Sequence, residues 1–484
     1  MNVLSGLEPH DVFKYFEEIC SIPHGSKNTK KISDYCVKFA TDHNLKYIQD
    51  ESNNIIIWKD GTKGYENSAP VMIQGHMDMV CEKEADCDIV DMENEGLRLR
   101  YNNGIISADG TTLGGDDGIA VAYALAILAS DDIPHPPLEV VFTVDEEIGM
   151  LGAAALDCSP LRSRIMLNLD SEDEGYLLVS CAGGTTATAH LPYEKLTKKG
   201  IAASITVTGL IGGHSGVEID KGRANSNQLM GRTLYNLGKK FSFNLITVNG
   251  GSKDNAIPRE TKADILLPSD ADINAVKTYL DELNAVYSHE YHITDPDIKL
   301  VFTSGSDTEA TVLSDISTKQ AVAMLVNLPG GIQRMSKEIE GLVQTSLNMG
   351  ILKTADDEIT ASFSVRSNMG SEKDELVDRM TCLMSALGGT VSCAGSYPAW
   401  EYRENSPLRD LMVDVFKEQY GKEPIIQALH AGVECGLFAD NLPGLDCVSF
   451  GPDMKDIHTA KETMDVQSVV RTWNYTLEIL KRLK

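Results

Sequence analysis

The sequence contains no apolar run approaching the ~20 residues of a membrane span. It is short of positive charge: 43 Lys and Arg against 71 Asp and Glu leave a formal net charge of −28. That deficit excludes the basic surface that nucleic acids and anionic membranes require, and it fits an enzyme accepting cations or small zwitterions. Ten cysteines occur singly, and none forms C-x-x-C. The first residues, MNVLSGLEPHDVF, lack the basic-then-apolar layout of a secretion signal. Reduced thiols, a cytoplasmic location and no cysteine metal ligand are therefore expected.

What is present is enough chain for two domains, since 484 residues exceed what one core usually supports. Amphipathic helical stretches such as LEPHDVFKYFEEICSI alternate with short β-rich runs such as NNIIIWKD, APVMIQGHMD and LEVVFTVDEE. This alternation predicts an α/β domain with a central mixed, mostly parallel sheet. Past Ala182 the pattern becomes βαββαβ, and a similar order recurs after it. An inserted α+β domain with two pseudo-repeated halves is expected. The expected boundaries are 1–183 and 397–484 for the two parts of the first domain, with 184–396 as the insertion.

Histidines and carboxylates collect where predicted strands end. His76 and Asp78 follow VMIQG, Asp116 and Asp117 lie in TTLGGDDGIA, and Glu146 and Glu147 close FTVDEE. Asp170 follows IMLNL, and His458 lies in GPDMKDIHTAKE. Taken singly, each has an ordinary structural explanation. A His at a strand end is usually structural, EE is commonly a solvated helix start, and DD before a helix is a common N-cap. Asp170 could belong to an acidic turn and His458 to an exposed loop. Taken together they point elsewhere. In an open α/β sheet, ligands bind beyond the carboxyl ends of strands. So many acids in one place repel unless cations lie among them. His with Asp and Glu but no Cys suits zinc, with manganese or cobalt as substitutes, and the oxygens suffice for two metals sharing a carboxylate.

The motifs GHMDMV, GGDDGIA, DEEIGMLGA, LNLDSEDEG and GPDMKDIHTAKE, in this order, resemble the co-catalytic zinc metallopeptidase family that includes carboxypeptidase G, peptidase T and the aminoacylases. Within it they are similar to the bacterial aminoacyl-histidine dipeptidase branch, over essentially the whole chain. The resemblance implies that the first domain is the catalytic domain and the insertion its lid. It also implies two Zn²⁺ per chain. His76 and Asp170 would hold one, Glu147 and His458 the other, and the Asp116 carboxylate would bridge them, with the peptide bond from Asp116 to Asp117 expected to be cis. It implies Glu146 as the general base and Asp78 as the carboxylate that orients the His76 ring.

In the inserted region, His214 in GLIGGHSGVEIDKGRAN resembles a lid histidine that stabilises an oxyanion. Asn255 in DNAIPRE resembles a substrate-contacting residue. Arg366 in SFSVRSN resembles an arginine that clamps a carboxylate. His430 and Gly432 in QALHAGVECGLF occupy the place of a glycine-rich substrate loop, and Glu434 is set aside because the ligand set is already complete. The bland alternatives are an exposed His in a glycine-rich turn, an Asn before Pro and an ion-paired strand Arg.

The implied function is hydrolysis of unblocked dipeptides, including Xaa-His and β-alanyl-histidine. An N-acyl amino acid deacylase or a carboxypeptidase would use the same site, and a non-catalytic binding protein is disfavoured by the intact ligand set. The expected partners are small dipeptides and a second copy of the chain paired through the lid, which leaves open whether His214 acts in cis or in trans.

Overall fold

The computed structural model describes residues 3–89 and 91–484. VMIQGH forms the strand Val71–His76, buried at every position. It is buried because it lies inside an eight-stranded mixed sheet, flanked in parallel by Leu138–Thr143 and Ile165–Asn168. Asp446–Ser449, from the far end of the chain, continues the parallel run beside Ile165–Asn168. Ile55–Lys59, Lys46–Gln49 and Tyr176–Cys181 add antiparallel pairings on either side. The four central strands read as apolar runs because both faces of a parallel sheet are covered.

The apolar stretch after GGDD forms the helix Gly115–Ala129, buried from Gly115 through Leu128. It packs so closely on Val71–His76 that a Cβ at Gly75 would meet Asp117 Oδ2 at 2.5 Å and the Ala120 Cβ at 2.6 Å. Only glycine permits that approach. At the helix's other end Lys59 Nζ donates to the Ile127, Leu128 and Ser130 carbonyls, placing a cation on the negative pole.

The chain divides into two compact units. One comprises the chain up to Cys181 with Tyr402–Ala428 and Val433–Lys484; the other comprises Ala182–Glu401 with Leu429–Gly432. The first is therefore discontinuous: it breaks at Ala182 and Tyr402, where the sequence placed boundaries at 184 and 397, and Leu429–Gly432, expected within the 397–484 part, belongs to the second unit.

The second unit is built on a nine-stranded antiparallel sheet. One half contains the strands Lys195–Thr208, Asn244–Gly250, Thr261–Leu267 and Lys299–Leu313, with helices Ser226–Gly238 and Ile273–Glu290. Counted within the half, its strands lie in the order fourth, first, third, second. The other half uses Gly183–Pro192, Val343–Thr354, Glu358–Ser367 and Thr390–Tyr397, with helices Asp315–Asn327 and Gly370–Ala386, in the same order. The halves join where their second strands pair, at Gly250 and Leu352. The extra strand Gly331–Met335 pairs with Val343–Thr354. The first strand of the second half precedes the whole first half in the chain, so the first half is nested inside the second. Its ends meet: Lys195 pairs with Leu313, and Ser314 N donates to Glu194 O at 2.7 Å.

No helix among the described residues is long and apolar enough to cross a membrane.

Candidate metal centre

Four parallel strands end at one edge of the first unit, and the chain beyond each supplies a polar group. His76 is itself the last residue of its strand and is 1% exposed. Asp116 sits at the amino end of Gly115–Ala129, with non-helical backbone angles and a cis bond to Asp117. Glu146 and Glu147 follow Leu138–Thr143, and Asp170 follows Ile165–Asn168. His458 lies between the hairpin strands Met454–Lys455 and Thr463–Asp465, with φ of 61°.

Asp116 is the centre of the arrangement. Its Oδ1 lies 3.1 Å from His76 Nε2 and its Oδ2 3.1 Å from His458 Nε2. Asp170 Oδ1 stands 3.6 Å from His76 Nε2, and Glu147 Oε1 2.9 Å from His458 Nε2. The donor atoms of His76, Asp116 and Asp170 lie within 4.8 Å of one another, as do those of Asp116, Glu147 and His458. A third such group joins His76, Glu146 and Glu147.

The electrostatics follow from burying these charges together. Burial works against the charged form of Asp116, but hydrogen bonds with His458 and His76 outweigh it and hold this carboxyl well below the usual range. Burial pushes Glu146 up to about 9, with Asp170, Glu434 and Glu147 adding to the rise and His76 opposing it. Burial pushes Asp117 up too; its Oδ2 accepts from His76 N at 3.0 Å, while Oδ1 has no partner.

The donors fit divalent cations. All are nitrogen or carboxylate oxygen, the set that zinc, manganese and cobalt accept. Glu147 Oε1 is buried without a hydrogen bond although an imidazole nitrogen lies 2.9 Å away. A buried acceptor left unpaired costs about 1–3 kcal/mol unless something else satisfies it, and a cation would.

Asp78 has a wider set of contacts than the sequence implied. The His76 Nδ1 proton has the Asp78 backbone carbonyl at 3.0 Å as its nearer acceptor, with the carboxylate at 3.5 Å. The carboxylate also accepts from Glu146 N at 3.0 Å, Glu147 N at 3.4 Å and Ser26 Oγ at 2.8 Å. It therefore ties the segment carrying both glutamates to the strand carrying His76.

Two further carboxylates went unassigned by sequence reasoning. Glu462 accepts from the backbone of Leu113 at 2.8 Å, Gly114 at 3.1 Å, Gly115 at 2.8 Å and Asp116 at 3.4 Å. Its one sequence signal is its place four residues after His458. Glu434 is fully buried; its Oε2 accepts from Gln74 Nε2 and Thr143 Oγ1, each at 2.6 Å, and its Oε1 has no partner. Gln74 Oε1 accepts in turn from Asn168 Nδ2 at 2.5 Å, so one chain of hydrogen bonds links three parallel strands just before their ends. Glu434 belongs to none of the donor groups.

The remaining candidates all fall in the second unit. His214 lies on the two-residue strand Gly213–His214, paired with Ala256–Ile257 next to Asn255, whose carbonyl accepts from Ser215 N at 2.9 Å. His214 Nδ1 accepts from Gly216 N at 3.1 Å and Val217 N at 3.2 Å. Burial, and then the charge of Arg366, lower its pKa. The ring is thus neutral with its proton on Nε2. Arg366 is 9% exposed; Nη1 donates to Tyr397 Oη at 2.9 Å, while Nε is buried without a partner. His430 is buried against Ser346 Oγ at 2.7 Å, and burial followed by Arg366 pushes it down to about 3. Gly432 ends the short segment Leu429–Gly432, which returns to this unit, and a Cβ on Gly216 would meet His430 O at 2.7 Å. His214, Arg366 and His430 therefore share one neighbourhood.

Residues 72–482 match the model of peptidase family M20/M25/M40. The chain is 35% identical over 485 residues to the cytosol non-specific dipeptidase of Escherichia coli K12, covering 100% of this chain and 99% of that protein. It superposes on the crystal structure of aminoacylhistidine dipeptidase from Vibrio alginolyticus with a TM-score of 0.91 at 35% identity, over 99% of this chain and 97% of that one. Aminopeptidase PepT from Bacillus cereus, 17% identical with a TM-score of 0.55 over 99% of both chains, shares the fold.

Proposed function

The chain belongs to peptidase family M20/M25/M40, and from that premise we propose that it is a cytoplasmic dizinc dipeptidase cutting unblocked dipeptides, Xaa-His among them. The observation that carries this reading is the placing of Asp116 between two imidazoles, one at each carboxylate oxygen, with a further carboxylate beyond each ring. His76 and Asp170 would hold one cation, Glu147 and His458 the other, and Asp116 both. Divalent cations held there supply Lewis acidity, which acidifies water and polarises a carbonyl.

The protein's own groups do the rest. Glu146, whose carboxylate groups with the donor atoms of His76 and Glu147, takes a proton from the attacking water and passes it to the leaving amine. His214 offers Nε2–H as the donor to an oxyanion, a role available to a neutral ring. Arg366, steadied by Tyr397 and with Nε unsatisfied, takes the substrate carboxylate. Asn255, His430 and Gly432 are the further proposed contacts. Asp78 acts by holding His76 and the glutamate segment in place.

Pairing of two chains through the second unit, whose outermost strand Lys299–Leu313 is exposed along most of its length, is the proposed assembly. Sedimentation velocity tests it. The activity is tested on Xaa-His, Ala-Ala and Gly-Gly against their N-acetylated forms, before and after chelation and zinc readdition. Preference for the acetylated substrates would make the protein a deacylase instead.

A further inference from the structure

A cavity lies wholly within the second unit, between the helices Ser226–Gly238 and Asp315–Asn327 and the strand ends beside them. Its volume is about 860 Å³, inside the ~300–1,000 Å³ typical of small-molecule sites. One side is apolar: Leu234, Leu266 and Val322 are buried in its floor, and Phe241 and Phe243 are half-buried against it.

Lysines are also part of the lining. Lys198, Lys199, Lys239 and Lys319 border the cavity, in a chain whose net charge is −28. A cluster of four lysines runs against the character of the rest of the molecule. The lining contains one carboxylate, Asp315, and that is already taken: Lys198 Nζ lies 2.6 Å from its Oδ1 and Asn244 Nδ2 2.8 Å. Lys199 pairs with Asp307 at 3.2 Å. Lys239 and Lys319 have no carboxylate at ion-pair distance among the described residues; Lys239 Nζ donates to Asn236 Oδ1 at 3.0 Å and stands 4.5 Å from the Tyr235 ring centre, and the charge of Lys319 reaches Asp315 only from beyond that distance.

We propose that this cavity binds an amphipathic monocarboxylate, its acyl or aryl body between Leu234 and Val322 and its carboxylate beside Lys239 and Lys319. The apolar floor gains from covering by a tail, and the two lysines attract one negative charge. An ammonium group meets four lysines and a single carboxylate, Asp315, whose Oδ1 already accepts from Lys198 and Asn244, so the charge of the lining disfavours it. Unblocked dipeptides and amino acids, which carry one, are therefore poor ligands, and the site is chemically separate from the one that hydrolyses them.

Calorimetric titration of the metal-loaded full chain with sodium octanoate, and separately with octylammonium chloride, tests the proposal. Octanoate is expected to bind saturably at one site per chain and more tightly than octylammonium. The double variant Lys239→Ala/Lys319→Ala, altered at two exposed side chains, should weaken octanoate roughly fivefold or more. Ala323→Trp, which puts an indole into the lining, should abolish binding. If that variant fails to fold, the lysine pair decides. Octanoate binding left unchanged by the lysine double variant, or octylammonium bound as tightly as octanoate, overturns the proposal and assigns the heat to another site, the metal centre included.

Discussion

Glu462 closes the amino end of the helix that presents Asp116, accepting from four successive backbone N–H groups, the last of them that of Asp116 itself. A carboxylate there satisfies donors that the helix leaves open and meets the positive pole of its dipole. Because Glu462 lies four residues beyond His458, the same contact anchors the hairpin carrying that imidazole. Glu462→Ala should cost about 2–4 kcal/mol by leaving several buried N–H groups unpaired. It should also weaken metal binding although the residue touches no metal. Urea denaturation and competitive chelation measure the two effects; unchanged metal affinity would reduce Glu462 to a stability role.

Glu146→Gln should lower kcat by about 10²–10⁴-fold, the usual share of a positioned general base, while bound metal per chain, measured by emission spectrometry, stays as in the parent. A variant that turns over normally would remove Glu146 from the proton path.

Asp78→Ala is expected to do more than loosen one imidazole. Its carboxylate also holds the backbone N–H groups of Glu146 and Glu147, so both donor groups should suffer, with metal affinity down about 10–100-fold. His76→Ala should lose one metal equivalent outright. Equilibrium dialysis separates these outcomes, since a weaker site refills at high metal concentration and a missing ligand does not restore stoichiometry.

Chelation should lower the thermal midpoint, and readdition of zinc should restore it, because buried carboxylates that face cations in the loaded protein repel one another without them. At free metal ~100 times its dissociation constant, linkage alone contributes about 2.7 kcal/mol per site. A midpoint indifferent to chelator would contradict the proposed centre.

Buried neutral histidines set a pH trend. His430 is held down to about 3 and His135 is also lowered by burial. In the unfolded chain both regain a pKa of ~6.5. Below that value the unfolded state takes up protons that the folded state refuses, so stability falls as pH drops from ~6.5 toward ~3 and is unaffected above. His430→Gln, followed by urea denaturation in chelator across this window, should give a flatter decline than the parent.

The strand ends bearing His76, Glu147 and Asp170 were legible in the sequence because a buried parallel strand is a local apolar run, and the polar residue after it stands out. The recurrence of βαββαβ after residue 182 was legible because amphipathic helices and strand-like runs are also local patterns. The roles of Glu434 and Glu462 were not. Glu434 meets Gln74 across 360 positions of chain, and Glu462 meets Leu113 across 349; no periodicity encodes a pairing at that distance. Gly183–Pro192 escaped assignment because its strand GGTTATAHLP is rich in small residues, and its partners, Glu358–Ser367 and Thr390–Tyr397, come much later.

The junction at Glu194 and Ser314 gives the second unit an unusual freedom. A stretch whose two ends are hydrogen-bonded neighbours behaves as a cassette: the chain can pass through it or skip it without re-threading the remainder. The half from Lys195 to Leu313 can thus vary in length and surface on its own evolutionary schedule.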